Sequence, residues 1–287
     1  MSQPIGAFVG LTTVDIVYSI EGPPQQNTKN VVSEVGIFAG GPAANAAVTF
    51  AALGGRALLT TAIGKHPLGD IARQDLEDHG VEVFDLIPGF DSLPSLSSVI
   101  VSVPGGDRTV VSTGGNALPE LPVEFDAFAG VQPQVMMVDG HLPHASSSAA
   151  RQSRQAGVPV VIDAGTWKDE LGQCLAATDY AICGEEFSPP GFPGPDEVFN
   201  YLANLGVSHS AITRGERAIL LPNGEIEVDA VTAVDTLGAG DIFHGAFCHA
   251  LATGDEFEQA LKAAASIARL SCESFGTRAW ISKALTT

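Results

Sequence analysis

Short runs that are apolar on both faces recur through the C-terminal two-thirds of the chain: Val135-Met136-Met137-Val138, Val158-Pro159-Val160-Val161-Ile162, Tyr180-Ala181-Ile182-Cys183 and Ser210-Ala211-Ile212. Helix-compatible stretches, such as Ser146 to Ala156 and Asp196 to Leu205, lie between them. Strands buried on both faces are what a parallel sheet covered by helices requires, and the spacing from run to run suits successive βαβ units. The pattern predicts a layered α/β fold.

Residues 12–35 and 95–113 break this rhythm. Their positions alternate, as in Val99-Ile100-Val101-Ser102-Val103 and Thr109-Val110-Val111-Ser112, and Gly105-Gly106-Asp107 between these two runs is a hairpin turn signal. They predict a small antiparallel sheet inserted beside the main one. It is either a lid over the carboxyl ends of the parallel strands, where open α/β sheets bind ligands, or a plain edge extension. Three helices are well marked. Pro42 to Leu53 is rich in Ala, follows Gly40-Gly41 and stops at Gly54-Gly55. Gly238 to Ala252 carries Phe243, Ala246, Phe247, Ala250 and Leu251 at helical spacing, and Phe257 to Leu270 repeats the pattern with Leu261, Ala264, Ile267 and Ala268. No internal repeat or long linker interrupts the chain, so residues 1–287 are expected to form one α/β domain with its lid in the inserted strands.

Composition narrows the partners. Among 287 residues there are 14 Lys plus Arg against 33 Asp plus Glu, a formal charge of −19. Tight binding to nucleic acid or to an anionic membrane needs a basic surface, and no Lys/Arg-rich block is present. With 45% apolar residues and a positive mean hydropathy, the chain can bury a large core. Cys174, Cys183, Cys248 and Cys272 have no metal-ligand spacing and read as buried free thiols. With no basic leader and no apolar run of about 18 residues, a soluble cytoplasmic protein is expected.

The stretch richest in chemistry is Val234-Asp235-Thr236-Leu237-Gly238-Ala239-Gly240-Asp241-Ile242-Phe243. Gly238-Ala239-Gly240 at a helix start leaves backbone N–H groups unhindered and unpaired, and with the positive helix end they favour an anion. Asp241 falls in the first turn, within reach of a hydroxyl that must lose its proton. One helix end thus combines an anion hole with a general base, as phosphoryl transfer requires. The bland alternative is a tight turn followed by an acid placed for the helix dipole. No GxxxxGK[ST] occurs, which excludes a P-loop. Phe243 stands where a dinucleotide fingerprint needs glycine, which counts against a nicotinamide oxidoreductase.

Asp235-Thr236-Leu237-Gly238-Ala239-Gly240-Asp241 resembles the DTxGAGD signature of the ribokinase-like, or PfkB, carbohydrate kinases, and Gly40-Gly41-Pro42-Ala43-Ala44-Asn45 resembles their GGxxxN signature. The two stand in the family's order, and the resemblance spans nearly the whole chain. It implies a ribokinase-like three-layer α/β/α fold with a mostly parallel central sheet and a small β-sheet lid. In that likeness Asp241 deprotonates the sugar hydroxyl, while the amides of Gly238, Ala239 and Gly240 hold the transferred phosphoryl group. Asp15 matches the acid that grips sugar hydroxyls, although it also suits a turn, and Gly40, Gly41 and Asn45 match contacts of the sugar pocket. Arg108 matches a lid arginine of ketohexokinase-like members, or is a solvated hairpin tip. Asn116, after Gly114-Gly115, resembles a step at the end of the lid strand.

Thr213-Arg214-Gly215-Glu216-Arg217-Ala218 is similar to the strand and turn lying along ATP, with Thr213 and Gly215 in place and Ala218 where the family has a glycine. Gly276 matches a glycine near the adenine. Glu185 takes the acidic place of a magnesium-associated motif whose asparagine is missing here, and Asp235 lies where many members hold a monovalent cation such as K+, or is a buried structural acid. His141 and His144 have the spacing of a metal pair, but Pro143 between them favours a loop facing the sugar. The resemblance implies an ATP- and Mg²⁺-dependent kinase acting on a hydroxyl, most often primary, of a small sugar such as a ketohexose or pentose, and a homodimer joined through the lid. A sulfosugar or nucleoside acceptor and a non-catalytic sugar-binding member are the alternatives. Pro42 stands where ketohexokinase has a sugar-binding asparagine, and sulfosugar kinases use an arginine near the present His141.

Overall fold

The structure, a computed structural model, describes residues 3–103, 105–122, 124–128 and 130–285. Strand β1 (Ile5–Val9) lies in a central sheet, and β2 (Thr13–Glu21) and β3 (Glu34–Gly40) leave it for a second one. The chain returns through α1 (Pro42–Ala52), β4 (Arg56–Thr61), α2 (Pro67–Asp78) and β5 (Val81–Asp85), then departs again as β6 (Leu96–Val103) and β7 (Asp107–Ser112). Strands and helices then alternate: β8 (Val135–Val138), α3 (Pro143–Ala156), β9 (Val160–Ala164), α4 (Leu171–Leu175), β10 (Tyr180–Gly184), α5 (Pro195–Asn204) and β11 (His209–Arg214). The hairpin of β12 (Arg217–Leu221) and β13 (Gly224–Ile226) precedes α6 (Ala239–Thr253), α7 (Phe257–Ser271) and α8 (Trp280–Ala284). Helices α1, α6 and α7 fall within one residue of their predicted bounds.

The central sheet runs β13-β12-β11-β10-β9-β8-β1-β4-β5, parallel from β11 to β5, with β12 and β13 antiparallel at one edge. Along β8, Val135 and Met137 enter one core while Met136 and Val138 enter the other, because successive strand side chains point to opposite faces. This two-sided burial is why the strand runs are continuously apolar. Phe8, Phe50, Leu76 and Phe247 build the core beneath α1, α2, α6 and α7; Ile162, Leu171 and Leu202 build the one beneath α3, α4 and α5. All four cysteines are buried free thiols. Among the described residues no helix is long and apolar enough to cross a membrane.

The second sheet has the order β3-β2-β6-β7 and forms the lid. Its outer pairs are antiparallel as expected, whereas the middle pair, β2 with β6, runs parallel. Both middle strands are fed from the carboxyl ends of parallel strands, β1 and β5, so both enter from the same side. Val17, Val99 and Val101 form a small core there, with Phe38, Leu237 and Phe275 packed against it. Pro143 departs from the expected loop. It stands in the first turn of α3, where its fixed φ suits a helix and its missing N–H removes nothing, so His144 belongs to that helix and His141 precedes it.

Candidate active site

Helix α6 begins with Gly238 in the left-handed region at φ 69° and has no side-chain cap. A Cβ on Gly238 would stand 2.8 Å from Thr277 Cγ2, so both backbone and space demand glycine. The uncapped end leaves the amides of Gly238 and Gly240 open to an anion, while that of Ala239 donates to the Thr236 carbonyl at 3.3 Å. Gly240 is exposed, and nothing lies within 4 Å of where its Cβ would be, which keeps the mouth of the helix open. Ala239 and Gly240 line a cleft of about 490 Å³ with Arg108, Thr213, Gly215 and Thr236. Ile219, Phe243, Ala265 and Ala268 give that cleft an apolar wall suited to a flat ring.

Asp241 sits one turn inside the mouth and accepts a 2.8 Å hydrogen bond from Asn45 Nδ2. Burial pushes its carboxyl up to about 7, the Asp163 carboxylate pushes the same way, and the Asn45 bond, His244 and Arg108 oppose. A carboxylate titrating there is suited to general-base work at neutral pH.

Asn45 reaches this position from α1, whose start is set by Gly41 and Pro42. Gly41 has φ 100°, and a Cβ there would overlap the carbonyl oxygen of Leu11. A Cβ on Gly40 would overlap the carboxylate of Asp15, so the missing side chain is the space that Asp15 occupies. Asp15 is buried on β2 and accepts from Thr13 Oγ1; burial pushes its carboxyl up, against Thr13, Ser97 and Arg278. Asp139, just beyond β8, accepts from the amides of Leu11, Ala43 and His141 at 2.9, 3.2 and 2.9 Å, tying two loops and the start of α1 into one floor.

The lid hairpin rests on the turn before α6. Arg108 Nη1 donates to Thr236 Oγ1 at 3.0 Å and to its carbonyl at 3.3 Å, and Thr236 Oγ1 donates to the carbonyl of Gly106 at 3.0 Å. Arg108 is therefore a docked residue at the cleft rather than a free hairpin tip. Asn116 is exposed in the short turn Gly114–Ala117 and its amide bonds locally to Thr113; the neighbouring Gly115 lies against the carbonyl of His141.

Asp235 is buried, and its two oxygens accept the amides of Leu237 and Gly276, each at 2.8 Å. Its side chain is a clip between two turns. Gly276, at φ 74°, packs against Phe38 behind the cleft instead of lining it. Thr213 Oγ1 donates to the carbonyl of Cys183, and Gly215, at φ 63°, makes the tight turn in which Arg214 pairs with Arg217. Ala218 lies beyond that turn, inside β12, where any L residue fits. Glu185 is exposed after β10 and pairs with Arg217; an oxygen donor so placed fits a hard cation held through water. Among the described residues no three His, Cys, Asp or Glu side chains converge, so such an ion would take most of its ligands from phosphate and water. His141 Nε2 lies 3.3 Å from Lys168 Nζ, and His144 is exposed on α3.

Sequence reasoning passed over Asp139, Asp163 and Arg278. The two acids stand at the carboxyl ends of predicted strands, where open sheets bind ligands, and that rule alone would have flagged them. Arg278 carries no local signal.

Sheet order, lid and uncapped helix end together describe a small-molecule kinase. Residues 7–284 match the model of the pfkB family carbohydrate kinases, and the chain belongs to that family. It is 25% identical to a ribokinase of Arabidopsis thaliana over 281 residues, 91% of this chain and 74% of the relative. It is also 25% identical over 279 residues to an ATP-dependent ribose-1-phosphate kinase of Halopiger xanaduensis, covering 92% and 90% of the two chains. The solved structure of Arabidopsis thaliana ribokinase complexed with ribose and ATP superposes over 100% of each chain, with a TM-score of 0.76 and 21% identity.

Proposed function

We propose that this carbohydrate kinase transfers the terminal phosphoryl group of ATP to a hydroxyl, a primary one, of a small sugar such as a pentose or ketohexose. One observation carries the reading: a carboxylate pushed up to about 7 stands in the first turn of an uncapped helix whose amides line the cleft. Asp15, Asn45 and the backbone at Gly40 and Gly41 would bond the sugar hydroxyls and aim one at Asp241. Asp241 takes its proton as the new O–P bond forms, and the amides of Gly238, Ala239 and Gly240 take up charge on the transferred group. Thr213 and Gly215 flank the nucleotide. Mg²⁺, held through water by Glu185, would neutralise the nucleotide phosphates. The four-stranded sheet acts as the lid of a single catalytic unit, with Arg108 at its tip beside the phosphates.

Incubation with Mg·ATP and a panel of pentoses, ketohexoses, sulfosugars and nucleosides tests this. ADP is expected with at least one acceptor, and silence with all of them favours a non-catalytic sugar-binding protein. A second reading, an acceptor bearing an anionic group as in a sulfosugar or phosphosugar, is favoured by the Lys168–His141 pair at the carboxyl ends of β9 and β8. The same panel separates the two.

The pH dependence follows from the raised carboxyl. The ionised form is the active base, so kcat/KM is expected to fall with slope one as pH drops through about 7. A flat profile from about pH 5.5 to 8.5 counts against Asp241 as the base. The outer face of the lid leaves Val35, Ile37 and Val111 exposed, at 56%, 47% and 70%. Apolar exposure of this kind supports a homodimer through the lid. Sedimentation is expected to give a dimer that Ile37→Glu dissociates, and a wild-type monomer overturns it.

A further inference from the structure

We infer that Arg278 is a positioning residue for phosphoryl transfer, latching Asn45 so that its amide nitrogen, and not its oxygen, faces Asp241. The inference rests on Asp241 being the base. A carboxamide has one accepting end and one donating end. Arg278 Nη1 donates to Asn45 Oδ1 at 2.9 Å, and Asn45 Nδ2 donates to Asp241 Oδ2 at 2.8 Å. Turning the amide over would set oxygen against carboxylate and NH₂ against guanidinium, two repulsive contacts in place of two bonds. The guanidinium therefore fixes which end meets the base.

Arg278 is itself held from three sides. Nη2 donates to Asp75 Oδ2 at 2.9 Å and to the carbonyl of Ala39 at 2.6 Å, and Nη1 also donates to Thr277 Oγ1 at 2.9 Å. The planar fork thus joins α2, the end of β3, α1 and the C-terminal turn, which a lysine ammonium cannot span. The residue is buried, at 8% exposure, away from the outer surface where most cations of an acidic protein belong. Asn45, also proposed to bond the sugar, has one bond at each end of its amide and keeps its second N–H for a sugar hydroxyl.

The charged surroundings set the sign of the effect. Asp241 faces Asp163 from β9, His244 from its own helix, Arg108 from β7 and Asn45 from α1. Arg278 faces Asp75, Asp15 and Asp241, and Asp75 also meets His79. Burial and Asp163 favour the protonated base, and the Asn45 bond opposes them. Loosening Asn45 therefore makes Asp241 harder to ionise, and the acid limb of the rate profile moves to higher pH.

Arg278→Lys, Asn45→Ser and the double variant test this through kcat and kcat/KM against pH. Each single variant is expected to move the acid limb up by about one unit, roughly a fivefold loss at pH 7, with the KM for ATP unchanged. The double variant should move it no further, because both changes break one linkage. An acid limb that stays in place in Arg278→Lys while activity falls makes Arg278 a packing residue and overturns the inference. Should Arg278→Lys fail to fold, Asn45→Ser leaves the bonds of Arg278 to Asp75 and Ala39 intact, and an unmoved limb there overturns it equally. Full activity in Asp241→Asn would instead remove the base on which the inference rests.

Discussion

Asp241→Asn is expected to lower kcat/KM by roughly 10²–10⁴, the range for loss of a general base, while nucleotide binding persists. The amide oxygen of the variant can still accept from Asn45 Nδ2, so the geometry at the helix mouth is kept and the proton acceptor is lost. In the proposed reading the nucleotide is held by Thr213, Gly215 and the amides before residue 241, cleft-lining groups that the substitution leaves alone. Titration of nucleotide binding beside turnover separates the two roles, and turnover within a few-fold of wild type rules out the assignment. The variant also has a stability signature. In the folded protein the carboxyl is raised above its unfolded value of 3.8 to about 7, so the fold favours the protonated form. By linkage, the wild-type protein loses stability as pH rises between those values, and the variant does not. Its Tm advantage should grow from pH 5 to pH 8.

Gly41→Ala is expected to be the most damaging single methyl added near the site. Its φ of 100° is strained for any L residue by about 1–3 kcal/mol. Its Cβ would also overlap the Leu11 carbonyl oxygen, backbone that cannot swing aside, adding about 1–3 kcal/mol of overpacking. A fall in Tm on the order of 10 °C follows, with acceptor binding weakened because α1 carries Asn45. Gly54→Ala is the control. Gly54 has a similar φ of 97° but open space around its Cβ, so only the backbone strain applies. Equal melting of the two variants would show that the Leu11 contact yields.

What the sequence revealed follows the range of the forces involved. The start of α6 was legible because glycine requirement, helix dipole and first-turn acid are all local, and the α/β layering was legible because burial on both faces writes itself into each strand. Pro143 misled because the same residue that breaks a helix interior begins a helix well. Ala218 looked like a defect until the turn was seen to end before it. The parallel middle of the lid was hidden, since it depends on where β1 and β5 deliver the chain. Arg278 was hidden for a related reason: its partners Asn45, Asp75 and Ala39 lie more than two hundred residues earlier, and only the folded topology joins them.

The parallel pairing of β2 with β6 also governs how the lid can move. Every lid strand is joined to the main body at one end, through the connections β1 to β2, β3 to α1, β5 to β6 and β7 to β8. Peeling away either middle strand would break a ladder running from Val14 with Leu96 to Glu21 with Val103. Opening is cheaper as one rigid board turning on all its attachments together. One of those attachments is Gly40-Gly41, which leads directly into the helix bearing Asn45. If the lid closes over the acceptor as proposed, it would pull on the same segment that carries Asn45 to Asp241.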